Sequence, residues 1–360
     1  MTPDLKRVAS QFIDNSDDLQ IKPLGNGLIN DTYLVEYSSG SFVLQGINPN
    51  VFLRPLDVIA NLSVLGRHTQ QKDASTVGLR IPHLLLTRHG ENYYRDERHR
   101  VWRALERIYP AESRESLRHP EEAGQIGYAL ARFHLLCADI APAQLHDTLP
   151  GFHVTPGYLT QYHSLIAQAR SVDNCDEYRK CRDFIEAREL DAHALEQAKK
   201  RGELKERVIH GDPKLNNFLF EPNSHRIISL IDLDTVKPGL LHYDIGDCIR
   251  SCCHDKTNDS FELGRCYIIL ESYLKETGKI FDSSDYDYLY AAIWLIPFEL
   301  GLRFFNDYLS GNRYFKIREP RQNLKRALAQ FALCGSIERQ KTPLQQSIAE
   351  LKAQLYPSLA

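Results

Sequence analysis

The spacing of apolar positions changes along the chain, and with it the expected secondary structure. Residues 32–37 (TYLVEY) and 41–46 (SFVLQG) are short β-rich runs joined by Ser38-Ser39-Gly40, which predicts a hairpin. Leu56, Ile59, Leu62 and Leu65 then recur at three- and four-residue intervals, which predicts a helix over 54–70. Strands are expected again at 81–87 and 99–108. From about residue 119 the period turns helical, through EEAGQIGYALARFHLL and most of 156–202. A β-rich island interrupts at 207–234 (VIHGD, NFLF, RIISLIDLD), and helices are expected over 239–253, 258–276, 285–309 and 322–353. The pattern predicts an α+β class: a small β-rich N-terminal lobe (1–104), a connector (105–111) and a large, mainly helical C-terminal lobe (112–360). The β island would then lie where two lobes meet, the usual place for a cleft.

Composition narrows the partners. Lys plus Arg is 44 and Asp plus Glu is 47 in 360 residues, a net charge of −3. Nucleic-acid binding usually carries a basic excess, so no such partner is expected. No apolar run approaches the roughly 18 residues needed to cross a bilayer. The start, MTPDLKRVASQFIDNSDD, lacks the apolar core and cleavage site of a signal peptide, so a cytoplasmic location is expected. Eight cysteines without a regular framework fit a reducing compartment. Cys248, Cys252, Cys253 and His254 could be a zinc site. Small apolar packing on a helix is preferred, because no second ligand pair with zinc spacing is present.

Three segments carry candidate chemistry. His210-Gly211-Asp212-Pro213-Lys214-Leu215-Asn216-Asn217 is a loop between two predicted strands. An Asp followed five residues later by an Asn suits phosphoryl transfer, the first accepting a hydroxyl proton and the second ligating Mg²⁺. Ile227 to Asp234 reads as an apolar strand ending in two acids, Asp232 and Asp234, and buried carboxylates are costly unless paired or metal-bound. Together Asp212, Asn217 and Asp232 form an oxygen-rich set suited to a hard cation. Gly25-Asn26-Gly27, leading through Leu28 to Asp31 into Thr32 and a strand, would let backbone amides approach phosphate oxygens.

With these motifs the chain resembles the aminoglycoside phosphotransferase and choline kinase superfamily, which has a protein-kinase-like two-lobed fold. HGDPKLNN, IDLD and YDIGD carry that resemblance. GNGLINDTY, FVLQGIN, IDLDTVKPGL, YDIGDCIRS and ELGLRFFNDYLSGNRYF make it most similar to the N-acetylhexosamine 1-kinases. The resemblance implies ATP and Mg²⁺ as cofactors, with Asp212 as catalytic base and Asn217 and Asp232 as metal ligands. It implies a nucleotide loop from Gly25 to Thr32 (with Asn26 and Gly27) and adenine contacts along the connector, at Glu106 and Ile108. Asp244 would brace the catalytic loop, and Arg303 and Tyr314 would contact the acceptor. Asp234 is left open as a second metal ligand or a brace.

One departure stands out. Protein kinases place a lysine on the third strand and pair it with a glutamate from the next helix. Here that position is Gln45, followed by Gly46, and residues 46–72 contain no glutamate. Lys214 is expected to supply the missing charge to the phosphates, the alternative being a nucleotide-binding pseudokinase scaffold. Arg303 could instead be a surface partner of Glu299, four residues before it. Trp294, Tyr286 and Tyr290 are expected in the core. Residues 303–341 carry nine basic side chains against Asp307, Glu319 and Glu338, which disfavours cationic acceptors. The expected reaction is phosphorylation of a small-molecule hydroxyl. The preferred acceptor is the anomeric hydroxyl of an N-acetylhexosamine (GlcNAc or GalNAc), with choline, ethanolamine or aminoglycoside acceptors as alternatives.

Overall fold

Residues 4–14, 18–25, 29–72, 78–168 and 175–355 are described by the computed structural model. Period-two alternation builds the N-terminal sheet. β1 (Gln20–Pro23), β2 (Asp31–Tyr37) and β3 (Gly40–Gly46) run antiparallel. The short β4 (Leu84–Leu85) and β5 (Tyr94–Arg95) flank β6 (Val101–Glu106), which pairs with β3. Val35, Phe42, Leu44, Trp102 and Ala104 fill one face together with Val8 and Ala9 of α1 (Leu5–Ala9). Alternation turns the intervening side chains to the other face. There Thr32, Gln45 and Arg103 stand directly opposite one another across β2, β3 and β6.

Helix α2 (Pro55–Gln70) begins with proline at its first turn and buries Val58, Ile59, Leu62 and Leu65. Leu56, expected on that stripe, is exposed instead, and Val58 completes the buried face. These residues belong to the same hydrophobic core as the C-terminal helices. The buried Asn61 ties α2 across the cleft, donating to the carbonyls of Val236 (2.9 Å) and His146 (2.8 Å).

The chain leaves the sheet after Glu106 and joins the C-terminal part at β7 (Glu112–Ser113). There follow α3 (Pro120–Cys137), α4 (Thr155–Gln168), α5 (Asp176–Glu186) and α6 (Ala194–Lys200). The island resolves into β8 (Arg207–Ile209), β9 (Phe218–Phe220), β10 (Ile227–Leu230) and β11 (Lys237–Gly239). Then come α7 (Leu241–Cys252), α8 (Leu263–Thr277), α9 (Ser283–Asp287), α10 (Leu289–Leu309), α11 (Gln322–Arg339) and α12 (Lys341–Leu355). The helix expected over 322–353 is broken at Gln340, whose amide caps α11 through Ile337 and whose side chain donates to Phe261. Helices α3 and α8 meet at Gly127, where a Cβ would fall 2.2 Å from the Ile269 carbonyl oxygen. The strand expected at 81–87 shortens to two residues because the chain turns back at Thr87, which bonds Glu91 and Gly90.

Cys248, Cys252 and Cys253 are buried free thiols within the core, and His254 Nε2 bonds Asp259 (2.8 Å), so packing accounts for them. Among the described residues, the one triple of metal-ligating side chains close enough to share a cation is the exposed His119, Glu121 and His225, which includes no cysteine. Trp294 and Tyr286 are core residues, and Tyr290 packs against them partly buried. Among the described residues no helix is long and apolar enough to cross a membrane.

Candidate active site

Two antiparallel pairs, β8 with β11 and β9 with β10, set loop 210–217 beside segment 231–236. Gly211 makes the first loop possible. Its φ is +86°, and a Cβ would lie 2.6 Å from the Thr235 carbonyl oxygen, so no other residue fits without moving the backbone. Asp244, near the start of α7, holds the loop from beneath. Its carboxylate accepts from the amides of His210 (2.6 Å) and Gly211 (2.8 Å) and from His134 Nε2 (2.8 Å). Burial alone would raise the Asp244 pKa; His134 and the backbone donors outweigh it and hold the group below the usual carboxylate range. His210 Nε2 donates to the Ile231 carbonyl (3.0 Å), which ties this loop to the segment bearing Asp232.

The two acids converge. The Lys214 ammonium pairs with Asp212 and lies 3.8 Å from Asp232, and these carboxylates raise its pKa against the cost of burial. Asn217 spends its Nδ2 on the Asp212 carbonyl (2.8 Å), which leaves the carboxamide oxygen as a possible ligand. Asp232 adopts the left-handed conformation (φ 67°, ψ 55°), sparsely populated outside glycine, and its side chain stays 41% exposed. Loss of hydration in the cleft, with repulsion from Asp234 and Asp212, lifts its pKa to about 6 against the pull of Lys214 and Arg103. Two hard oxygen donors beside a lysine fit Mg²⁺.

The N-terminal lobe supplies the opposite wall. Gly25 is left-handed (φ +69°), and the Leu24 amide bonds the Thr32 carbonyl (2.9 Å) to close the turn. Asn26 and Gly27 lie outside the described residues. Gln45 Nε2 donates to Thr32 Oγ1 (3.1 Å), while its Oε1 accepts from Arg103 Nη2 (2.7 Å). Arg103 also pairs with Asp234, which takes a second bond from Asn30 Nδ2 (2.5 Å). Both Asp234 oxygens are thus engaged as a brace between the lobes. Asp57, the one acidic residue of 46–72, pairs with Arg54 (2.8 Å) at the start of α2. Glu106 has its carboxylate on Arg80 (3.2 Å) and its amide on the His83 carbonyl (2.8 Å), and Ile108 follows it, buried.

On the other side of Asp212, the Arg303 guanidinium sits over Phe152 (4.8 Å), Tyr158 (5.5 Å) and Phe315 (5.7 Å). Burial lowers its pKa, but Tyr158, Glu299, Tyr314 and Asp212 together leave it raised, so Arg303 lies within electrostatic reach of both Tyr314 and Asp212. The surface pairing with Glu299 does not form. Glu299 is buried and turns to Thr155 Oγ1 (3.0 Å) and His153 (3.3 Å). Tyr314 is 48% exposed, its segment pinned where Asp307 accepts from the amides of residues 313, 314 and 315. Part of the basic excess of 303–341 is locally neutralised, as in Lys325–Glu319 (2.7 Å).

The sequence reading missed Arg103 and His134, and it placed Asn30 within the nucleotide loop without its bond to Asp234. Arg103 left one trace: an arginine at an inward position of a strand opposite a glutamine. His134 left none, being one of several polar residues along an amphipathic helix.

A model of the phosphotransferase enzyme family matches residues 20–264. Among solved structures, an aminoglycoside phosphotransferase from Alicyclobacillus acidocaldarius subsp. acidocaldarius is 17% identical, covers 97% of each chain and superposes with a TM-score of 0.67. A microcompartment-associated aminopropanol kinase is 17% identical over 95% of this chain and 98% of that one, with a TM-score of 0.65. The choline kinase from Cryptosporidium parvum is 15% identical over 98% and 99%, with a TM-score of 0.61. At these identities the likeness establishes a shared fold, a small sheet-based N-terminal lobe on a larger helical one.

Proposed function

The chain belongs to the phosphotransferase enzyme family and is an enzyme acting on hydroxyl acceptors; from that premise we propose that it transfers the γ-phosphoryl group of ATP, held with Mg²⁺, to a neutral sugar. The favoured acceptor is the anomeric hydroxyl of an N-acetylhexosamine, giving the sugar 1-phosphate. One observation carries the reading: a single ammonium, Lys214, touches both Asp212 and Asp232, so base and metal-ligand candidates share one site.

In this reading Asp212 accepts the hydrogen bond of the acceptor hydroxyl and aims its oxygen at the phosphorus. A carboxylate is a weak base, but a loose transition state asks mainly for positioning and charge neutralisation. Asp232 and the Asn217 carboxamide oxygen would hold Mg²⁺, which when bound neutralises charge on the phosphate oxygens. Lys214 adds a cation beside the transferred group, the amides from Gly25 to Thr32 cover the phosphates, and the backbone of Glu106 and Ile108 meets the adenine. Asp244 keeps Asp212 in place. Arg303 and Tyr314 form the acceptor wall. The aromatic box of Phe152, Tyr158 and Phe315, which could take an ammonium ligand, already contains the Arg303 guanidinium, so a cationic acceptor would meet a like charge.

The test is ADP release from Mg·ATP with a panel of hexosamines, choline, ethanolamine and aminoglycosides, with ³¹P NMR locating the new phosphate. Wild type should favour N-acetylhexosamines, and Asp212→Asn should lose about 10²- to 10⁴-fold in turnover. Turnover that survives the substitution removes Asp212 as base, and a preference for the amines overturns the neutral-sugar assignment.

A further inference from the structure

We propose that Arg103, on β6, takes the place of the missing strand-3 lysine and binds the nucleotide's phosphate oxygens, with Gln45 as its positioning residue. The inference rests on the nucleotide-binding reading above and assigns it a residue that the sequence motifs do not contain.

Gln45 and Arg103 are cross-strand partners on the cleft-facing side of the sheet. The glutamine that stands where a lysine is expected does not merely vacate the position. Its Oε1 accepts from both Nε (3.1 Å) and Nη2 (2.7 Å) of Arg103, a two-point grip that fixes the guanidinium plane. Its Nε2 is anchored in turn by Thr32, the residue that ends the glycine turn. The charge is thereby moved one strand across and remains beside the same turn.

The guanidinium is placed for this task. Nη2 reaches Asp234, two residues beyond the metal-ligand candidate Asp232. Its side chain is 1% exposed. Within that buried group Nη1 has no hydrogen-bond partner. A buried guanidinium N–H left unpaired is costly, so Nη1 retains an unmet need for an acceptor; it is covered in this arrangement, and a phosphate reaches it only once the Arg103–Asp234 contact between the lobes loosens. Arg100, the other nearby cation, serves elsewhere: it pairs with Asp31 (2.6 Å) and the Gly46 carbonyl (2.8 Å), stacks on Trp102, and fills the space of the side chain that Gly46 lacks. Lys214 lies with the two carboxylates of the opposite lobe.

A plain latch between the lobes is the competing account of Arg103–Asp234, and three variants of the full chain separate the two by calorimetric binding of ADP, AMP-PNP and adenosine. Arg103→Met should weaken ADP and AMP-PNP by about 10- to 100-fold, the scale of a lost charge-assisted bond, and leave adenosine within about twofold. Asp234→Asn breaks the latch but keeps the guanidinium, so ADP affinity should stay within about threefold of wild type. Gln45→Lys in the Arg103→Met background should recover at least about tenfold in ADP affinity. Should Arg103→Met unfold from the unpaired Asp234, the Arg103→Met/Asp234→Asn double variant removes both charges and is held to the same ADP-to-adenosine ratio. Equal losses for adenosine and ADP, no loss at all, or matching behaviour of Arg103→Met and Asp234→Asn overturn the proposal. If wild type binds adenosine nucleotides and only the Arg103 prediction fails, the kinase reading stands without it; if wild type binds none, both fall.

Discussion

Asp244 offers the most direct measure of what keeps the catalytic loop in place. It is fully buried and receives three donors: two consecutive backbone amides, from His210 and Gly211, and the imidazole of His134. Replacing it with Asn keeps the shape but leaves one oxygen. If that oxygen takes the side shared by His210 and His134, the new NH₂ faces the Gly211 amide, donor against donor. The change loses one charge-assisted bond, worth about 1.5–3 kcal/mol, and strands one buried N–H at about 1–3 kcal/mol, with some return because no charge is buried. A net loss of about 3 kcal/mol is expected. That is a sizeable share of the roughly 5–15 kcal/mol typical of a whole domain, so the variant should fold but visibly less well. Urea unfolding followed by circular dichroism at pH 7.5 measures the global part, and turnover at saturating acceptor measures the local part. Turnover should fall at least tenfold while ADP affinity changes little, because the donors lie under Asp212 and not beside the nucleotide turn. A variant within about 0.5 kcal/mol of wild type and equally active would show that the network does not hold the loop.

Three further outcomes are expected. Arg303→Met should empty the aromatic box of its resident cation, so acceptor KM for a neutral sugar should rise about tenfold or more while choline or ethanolamine binds better, read by steady-state kinetics on both acceptor classes. Gly211→Ala places a Cβ at positive φ against Thr235, so kcat should drop at least about tenfold; circular dichroism that still reports a folded chain locates the strain, about 1–2 kcal/mol from the conformation alone, in the loop. His242 is buried with Nε2 on the Asp285 carbonyl, and desolvation pushes its pKa from 6.5 down to about 4. The unfolded chain therefore takes up the proton first, and stability falls as pH drops from about 6.5 to about 4, by about 3 kcal/mol in all. His242→Gln should lack that component when urea midpoints are compared across this range, and parallel curves for the two proteins would refute it.

Much of the site was readable in the chain because its parts are local. Asp212, Lys214 and Asn217 share one loop, and Asp232 follows a strand whose apolar run marks its end. The elements with strong period, α2, α3 and β2–β3, lie close to their expected bounds for the same reason. What could not be read is long-range pairing. Arg103 is 131 positions from Asp234, and nothing in VWRALE distinguishes an arginine that spans two lobes from one facing water. Gln45 read as a loss because its worth depends on the neighbouring strand. A surface pairing of Glu299 with Arg303 stayed open as an alternative because helical spacing does not report which side the core lies on. The exposure of Leu56 follows from the same blindness, since a three-four stripe fixes a face only to within one residue.

Helix α2 shares its core with the large lobe and is bolted to it through Asn61, although in sequence it belongs with the sheet. An opening that kept both Asn61 bonds would have to part α2 from the sheet side, where Thr69 meets His83 (2.9 Å) and Asn92 donates to Ser63 (3.1 Å), and to break the Asp234 brace as well.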